Sequence, residues 1–216
     1  MKSKYILNDK KNNFLKYNFK HLGDIDILSL INNLSKIKES DWDSDSIRNK
    51  GKTHSKVHTL PIRWKPEVLS QTKLTQIENE IFYDILDFGR IESQLLSIYK
   101  EHYGDGFIHK IVLANMPPEW NIQKHRDSGM SLMQVHRTHI PIITNPYVTF
   151  FVKDEFNQMI EGEVWEINNA QPHAVNNEGL DWRLHLIVDY YPYKGLSQEV
   201  ACLLYTSPSP RDATLS

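Results

Sequence analysis

The sequence has almost no cysteine and no long apolar run. Cys202 is the single cysteine among 216 residues, which excludes both a disulfide framework and a thiolate metal site. Any bound metal must therefore be held by histidine and carboxylate groups, which favours hard or borderline ions. The absence of an extended uncharged apolar stretch argues against a transmembrane helix.

The charge balance excludes partners that bind mainly by electrostatic attraction. Lys and Arg total 25 against 27 Asp and Glu, for a formal net charge of -2, and neither sign forms a long block. Such a chain lacks the charge pattern of a protein that binds nucleic acid or an anionic membrane. The N-terminus also lacks the apolar segment of a secretory signal. We expect a cytoplasmic protein, in a bacterium or a phage-infected cell, and leave its oligomeric state open.

The end of the chain has a composition of its own. "CLLYTSPSPRDATLS", residues 202–216, is rich in Ser, Pro and Thr and has no periodic pattern. It resembles a translated sequencing adapter of the kind found at the ends of metagenome-derived reading frames. We expect this tail to be non-native and exclude it from the fold prediction.

Helical periodicity marks most of the first half. Apolar residues at three- and four-residue steps predict a short amphipathic helix within residues 23–37 and a longer helical segment from Leu74 to Ile98, which Gly89 can divide. Between them, "VHTLPIRW" predicts an edge strand interrupted by Pro61. We expect residues 1–104 to be a helical part packed on the core, not a separate domain.

The period changes to two after "YGDG", residues 103–106. The segments "FIHKIVLANM", "SLMQVHRTHIPII", "YVTFFV", "EGEVWEINN", "HAVNN" and "WRLHLIVDYY" are rich in β-branched and aromatic residues and are separated by turn residues. Short strands at this spacing are typical of a sandwich or barrel. The sequence therefore predicts a mostly β protein with N-terminal helices.

Three side chains form a candidate metal site. In "HRD", His125 and Asp127 lie on one face of an extended chain because side chains alternate with period two. His173, in "AQPHAVNN", supplies a third ligand after a span long enough to return to the same end of a sandwich. Two imidazoles and one carboxylate on one face leave open positions on the metal, as in non-heme Fe(II) oxygenases.

Further cationic groups could bind an anion beside that metal. Arg183, in "DWRLHLIVDYY", can grip a carboxylate with two parallel hydrogen bonds. Arg137 and His139, in "HRTHIPI", alternate onto one face of their strand and can contact the same anion.

These segments together resemble the aspartyl/asparaginyl β-hydroxylase family of Fe(II)/2-oxoglutarate dioxygenases, over roughly residues 105–190. The resemblance implies a double-stranded β-helix (a jelly roll, as in cupins) whose catalytic core spans residues 105–195. It also implies a set of site residues. The iron ligands are His125, Asp127 and His173, and the residues for the co-substrate 2-oxoglutarate are Arg183, Arg137 and His139. Some animal members lack the acidic ligand, whereas this chain keeps Asp127 and resembles the branch with a full triad.

The implied activity is hydroxylation of an amino-acid side chain with Fe(II), 2-oxoglutarate and O2, releasing succinate and CO2. The substrate is either Asp or Asn in a peptide or a free amino acid such as proline, and the sequence leaves both open. Two other functions also stay open at this point. One is a cupin-like module that binds a metal or small acid without turnover, and the other is a metal-dependent isomerase or hydrolase on the same fold.

Several residues near these motifs receive structural interpretations. His136 and His185 are interpreted as structural, and His54, His58, His102 and His109 as solvated or internally satisfied. Trp165 is expected to pack the sandwich, with Glu163 and Glu166 solvated. Trp120 either braces the loop before the metal strand or lines the substrate entrance.

Overall fold

The structure is a computed structural model that describes residues 16–42, 54–64, 80–127 and 135–193. The tail 202–216, the first part of the predicted helical segment (residues 74–79) and the strand start 131–134 lie outside the described residues. Helices α1, α2 and α3 are Leu28–Asn33, Glu80–Ile85 and Phe88–Tyr103, and short 3-10 turns cover Leu34–Lys36 and Glu39–Asp41. Strands β1 to β10 are, in chain order, Phe19–Asp24, His58–Trp64, Gly106–Met116, Trp120–His125, His136–Ile143, Val148–Val152, Glu155–Asn157, Glu163–Ile167, His173–Asn177 and Arg183–Pro192.

The strands form two sheets in which all pairs are antiparallel. The larger sheet has the order β1-β8-β5-β10-β3-β2, and the smaller has the order β4-β9-β6-β7. Strands β6 and β9 alternate between buried and half-buried residues, as expected where one sheet face is covered. Nine of the ten residues of β10 are buried, because helices cover one face of the large sheet and the small sheet covers the other. The fold is a mostly β jelly roll, as predicted.

Two apolar cores lie on opposite faces of the large sheet. On one face, Ile91 and Leu95 of α3 are fully buried against Ile140 and Leu186 of the sheet. Their four-residue spacing places them on one side of the helix. The second core fills the space between the two sheets, and its members include Ala114, Ile122, Phe150, Val175 and Ile187. The second core ends where the polar site begins, so the two sheets act as the walls of that site.

The N-terminal segments differ from the sequence expectation in one respect. The expected edge strand is confirmed as β2, which among the described strands pairs with β3 alone and has an irregular register between Pro61 and Arg63. The expected helix in residues 23–37 is shorter, because β1 extends to Asp24 and pairs with β8. The large sheet thus contains strands from both sides of the expected boundary at residue 104.

The break between α2 and α3 falls before the predicted glycine. Asp87 adopts a left-handed conformation with φ of 51°, whereas Gly89 lies in the first turn of α3. Helix α3 extends to Tyr103, past the predicted end at Ile98, and Gly104 follows it with φ of 81°. Among the described helices, none is long and apolar enough to cross a membrane.

The expectation that Glu166 is solvated is wrong. Its side chain is fully buried on the helix-facing side of β8, where His136 Nδ1 lies 2.6 Å from Oε1. Tyr17 and Tyr103 donate hydrogen bonds to Oε2. Burial alone would raise the pKa of Glu166, but the hydrogen bonds from His136, Tyr103 and Tyr17 outweigh it and hold the pKa below its usual value. Glu166 is therefore an ionised buried group that joins β1, α3 and β5 to β8.

Replacing Glu166 with glutamine is expected to destabilise the fold by about 3 kcal/mol at neutral pH, because it breaks a buried charged network. A lowered pKa stabilises the fold above the ordinary value of 4.5, and this stabilisation is lost as the pH falls through the folded-state pKa. The gap between wild type and E166Q should therefore shrink in acid. Urea unfolding from neutral pH into acid measures this difference in the free energy of unfolding. The control is Glu178→Gln at an exposed position, which is expected to change stability by at most about 0.5 kcal/mol. A gap that stays constant or widens in acid would contradict the assignment.

Candidate active site

Strand pairing brings the three predicted metal ligands together. His125 ends β4, His173 begins β9, and the two residues are cross-strand partners in the small sheet. The register shifts between Ile122 and His125, an irregularity of the kind that re-aims side chains at sites. The two imidazole rings lie 4.2 Å apart between centroids, and Asp127 Oδ1 lies 3.9 Å from His173 Nε2. One ligand atom from each residue lies within 4.8 Å of the others, a spacing that could hold one ion.

Both histidines are oriented by their own backbone. Nδ1 of His125 lies 2.8 Å from the carbonyl of Gln123, and Nδ1 of His173 lies 3.0 Å from the carbonyl of Gln171. A carbonyl only accepts hydrogen bonds, so each Nδ1 carries the proton and donates it. Each Nε2 therefore presents a lone pair, and the hydrogen bond at the other nitrogen is the arrangement that ligating histidines usually have.

The Asp127 carboxylate is held on one side and open on the other. Arg137 Nη1 donates to Oδ2 at 2.6 Å, and the Asn169 amide donates to the same oxygen at 3.4 Å. Burial alone would raise the pKa of Asp127, but the charge of Arg137 and the nearby His173 and His125 lower it below the usual range. Asp127 is thus ionised, with Oδ1 facing His173.

Burial also sets the charge state of His173, which is 5 % exposed. Desolvation lowers the pKa of its imidazole below the ordinary 6.5, more than the Gln171 carbonyl and Asp127 raise it. A metal ligand must be neutral, so this environment prepares His173 to bind a cation.

A proton titration of the metal-free protein tests this state. The imidazole signals of His173, assigned with the variant His173→Gln, are expected to titrate with a midpoint below 6.5 because burial disfavours the charged ring. The exposed His21 serves as a reference ring in the same spectra. A His173 midpoint at or above 6.5 would contradict the expectation that burial keeps this ring neutral.

Arg183 and His139 lie in the same cavity as the triad. Arg183 begins β10, is 2 % exposed, and places Nη2 2.8 Å from Nδ1 of His185. The ring of His139 lies 5.0 Å from that of Phe150. The cavity between the sheets measures about 40 Å³ and is lined by His54, Val57, Ala114, Ile122, His125, Asp127, Arg137, His139, Phe150, His173, Val175, Arg183 and Ile187. The structure thus brings all six predicted site residues to one cavity.

Arg137 lines this cavity in an arrangement that the motif did not predict. Its Nε and Nη2 each donate to Asp189 at 2.7 Å, and its Nη1 donates to Asp127. Three of its nitrogens therefore contact protein carboxylates. This geometry favours a role for Arg137 in holding Asp127, and Arg183, Arg137 and His139 all stay predicted residues for the co-substrate.

Two further residues at the site were missed. His54, interpreted as solvated or internally satisfied, lines the cavity with its ring 4.9 Å from that of His125. No local pattern marks it, because it comes from the turn before β2. Asp189 lies six residues after Arg183, and even spacing along β10 could have placed both on one face.

The flanking aromatic and histidine residues take structural positions. Trp120 begins β4 and packs, partly buried, against the core between the sheets. The Lys56 ammonium lies over its ring, 4.3 Å from the ring centre. Trp165 also packs on this core, as expected. His136 faces Glu166 on the opposite side of β5 from the site, as the alternation predicted. His185 is buried beside Arg183, and burial lowers the pKa of its ring well below the ordinary value.

Comparisons with known proteins agree with this fold. Residues 93–192 match the family model described as aspartyl/asparaginyl beta-hydroxylase. Similar solved structures include a 2OG-Fe(II) oxygenase family oxidoreductase from Burkholderia pseudomallei (13 % identity, 87 % of this chain and 90 % of that one, TM-score 0.59). A prolyl hydroxylase from Trichoplax adhaerens, solved with a hypoxia inducible factor peptide fragment, has 12 % identity, 87 % and 90 % coverage and a TM-score of 0.56.

A prolyl-4-hydroxylase from Pseudomonas putida matches with 13 % identity, 84 % of this chain and 96 % of that one, and a TM-score of 0.51. At these identities the structural likeness shows the fold. No curated protein matches the sequence. The matched residues 93–192 are slightly less than half of the chain, and over this span the sequence is similar to the aspartyl/asparaginyl β-hydroxylase family; together with the jelly roll and its His-Asp-His group, this similarity supports a hydroxylase enzyme of the oxidoreductase class.

Proposed function

We propose that this protein is an Fe(II)/2-oxoglutarate-dependent dioxygenase that hydroxylates an amino-acid side chain. One observation carries the proposal: one ligand atom each of His125, Asp127 and His173 lies within 4.8 Å of the others, and the Nδ1 atoms of both rings are held by backbone carbonyls. Two imidazoles and one carboxylate suit a non-heme Fe(II) site with open positions. The donor set therefore fits the metal that the family implies.

In this proposal His125, Asp127 and His173 hold the iron. Bound iron, with 2-oxoglutarate and O2, supplies the oxidation that converts a C–H bond to C–OH while 2-oxoglutarate becomes succinate and CO2. The chain's contribution is to keep three ligand atoms in a fixed, water-poor arrangement. The backbone hydrogen bonds to both rings and the contacts to Asp127 limit the reorganisation that metal binding requires.

Arg183 is proposed to bind the distal carboxylate of 2-oxoglutarate, with Arg137 and His139 as further donors. Its buried guanidinium lines the cavity that the triad also lines. A charge in this low-dielectric position interacts strongly with an anion and holds it in one orientation. His185 supports it by accepting a hydrogen bond from Nη2.

The substrate is proposed to be an amino-acid side chain, either of Asp or Asn in a peptide or of a free amino acid such as proline. The Trichoplax adhaerens neighbour was solved with a peptide fragment, which supports the peptide alternative by analogy. Succinate release measured across free amino acids and short Asp-, Asn- or Pro-containing peptides separates the two. Turnover with free amino acids alone would exclude the peptide alternative, and the reverse would exclude the other. A cytoplasmic location stays a prediction.

An anaerobic titration tests the co-substrate assignment. Protein without residues 202–216 is mixed with Fe(II) and 2-oxoglutarate in the absence of O2. A visible metal-to-ligand charge-transfer band is expected, because the oxoacid would chelate iron in the open positions. Stoichiometric iron binding without that band would contradict the dioxygenase proposal and favour a metal-binding jelly roll without oxygenase activity.

A further inference from the structure

We propose that Asp189 and Arg137 form a positioning pair that sets the orientation of the Asp127 carboxylate and balances the charge around the metal. This inference rests on the metal site of the proposed function. It gives Arg137 a role in addition to the co-substrate contact that the family resemblance implies, and it assigns a role to Asp189.

The pair is rigid because both members are locked by the sheet. Asp189 on β10 and Arg137 on β5 are cross-strand partners. Two parallel hydrogen bonds of 2.7 Å join Nε and Nη2 to the two carboxylate oxygens, the fork geometry that lysine cannot reproduce. Their side chains are 9 % and 2 % exposed, so few water molecules compete for these contacts.

The remaining nitrogen of the fork reaches the metal ligand. Arg137 Nη1 donates to Asp127 Oδ2 at 2.6 Å, and Asn169 donates to the same oxygen. Asp127 follows the end of β4, where the sheet no longer fixes it. Binding of Oδ2 leaves Oδ1 directed at His173 Nε2, 3.9 Å away. The rigid pair therefore selects which oxygen a metal meets.

Asp189 also decides the sign of the local charge. Arg137 alone would place a buried positive charge beside a cation site and would compete with the metal for Asp127. With Asp189 ionised, the group of Asp189, Arg137 and Asp127 carries one net negative charge, which favours a divalent cation. Burial alone would raise the pKa of Asp189, but Arg137, and to a smaller extent Lys110 and His109, lower it, which keeps Asp189 ionised.

Isothermal titration of the metal-free protein with Co(II), read together with the visible Co(II) spectrum, tests the pair. Asp189→Asn is expected to weaken Co(II) affinity by about 10- to 100-fold, the range found when outer partners of metal ligands are removed. Arg137→Lys keeps the charge but not the fork, and is expected to shift the Co(II) spectrum. In Asp189→Asn/Arg137→Gln, part of the lost affinity should return, because the unbalanced guanidinium is gone. Glu92→Gln, which breaks the Arg63–Glu92 pair away from the site, is the matched control and should leave affinity unchanged.

The outcomes separate this inference from the proposed function. Failure of the wild type to bind Co(II) would overturn the metal site itself. Wild-type binding with unchanged affinity and spectrum in Asp189→Asn and Arg137→Lys would overturn only the positioning pair. Circular dichroism confirms folding of each variant, and if Asp189→Asn does not fold, Arg137→Lys alone decides the question by its spectrum.

Discussion

Replacing Arg183 with alanine is expected to weaken 2-oxoglutarate binding by about 30- to 4,000-fold, since losing one partner of a buried charge pair costs about 2 to 5 kcal/mol. Arg183 is 2 % exposed and lies at the start of β10. A cationic side chain on the surface therefore cannot reach this buried position and take over the contact with the carboxylate. In the anaerobic titration the charge-transfer band should be absent at a 2-oxoglutarate concentration that saturates the wild type. Iron affinity itself should change little, because Arg183 is not one of the three ligands.

The matched variant Arg183→Lys separates charge from geometry. Lysine keeps the positive charge but cannot donate two parallel hydrogen bonds, so an intermediate loss of affinity is expected. Normal 2-oxoglutarate affinity in Arg183→Ala would show that the co-substrate carboxylate binds elsewhere. Loss of iron binding in this variant would instead point to disruption of the fold, which a thermal melt detects.

Replacing His173 with alanine is expected to remove stoichiometric Fe(II) binding and, with it, all 2-oxoglutarate turnover above background. Only His125 and Asp127 would remain, and two ligands without the facial third do not hold a divalent ion firmly. The affinity loss should exceed the roughly 10- to 100-fold effect of removing an outer partner. Calorimetry with Fe(II) under anaerobic conditions measures it.

His58→Ala is the control for that experiment. His58 is the first residue of β2, and its ring contacts that of Trp182. It is not among the described residues that line the cavity. Its removal should leave iron affinity within experimental error. Stoichiometric iron binding by His173→Ala would mean that a different set of residues holds the metal.

Alternation along strands explains which parts of the site could be predicted. It placed Arg137 and His139 toward the space between the sheets and His136 toward the helices, where the structure has them. The rule succeeds there because β5 is regular over these residues and covered on both faces. It could not show that Glu166, on the helix-facing side of β8, is buried, because burial depends on what α3 and residue Tyr17 bring to that face.

Long-range pairing explains what could not be predicted. His54 comes from the turn before β2, some seventy positions before His125, and only the packing of that turn brings their rings together. Strand β1 was missed because "FKHLGD" has a weak apolar pattern, and its pairing with β8 forms it. The Arg137–Asp189 fork similarly follows from the register of β5 with β10.

The sequence by itself determined the class of the fold, the identity of the three candidate metal ligands and the choice of Arg183 as a candidate anion-binding residue. These follow from residue type and local period, which are properties of short segments. Only the tertiary structure decided which histidine nitrogens are held by backbone carbonyls, that Arg137 contacts Asp127, and that His54 and Asp189 lie at the candidate site. Those facts depend on cross-strand register and packing between segments far apart in the chain, and no short stretch of sequence encodes either.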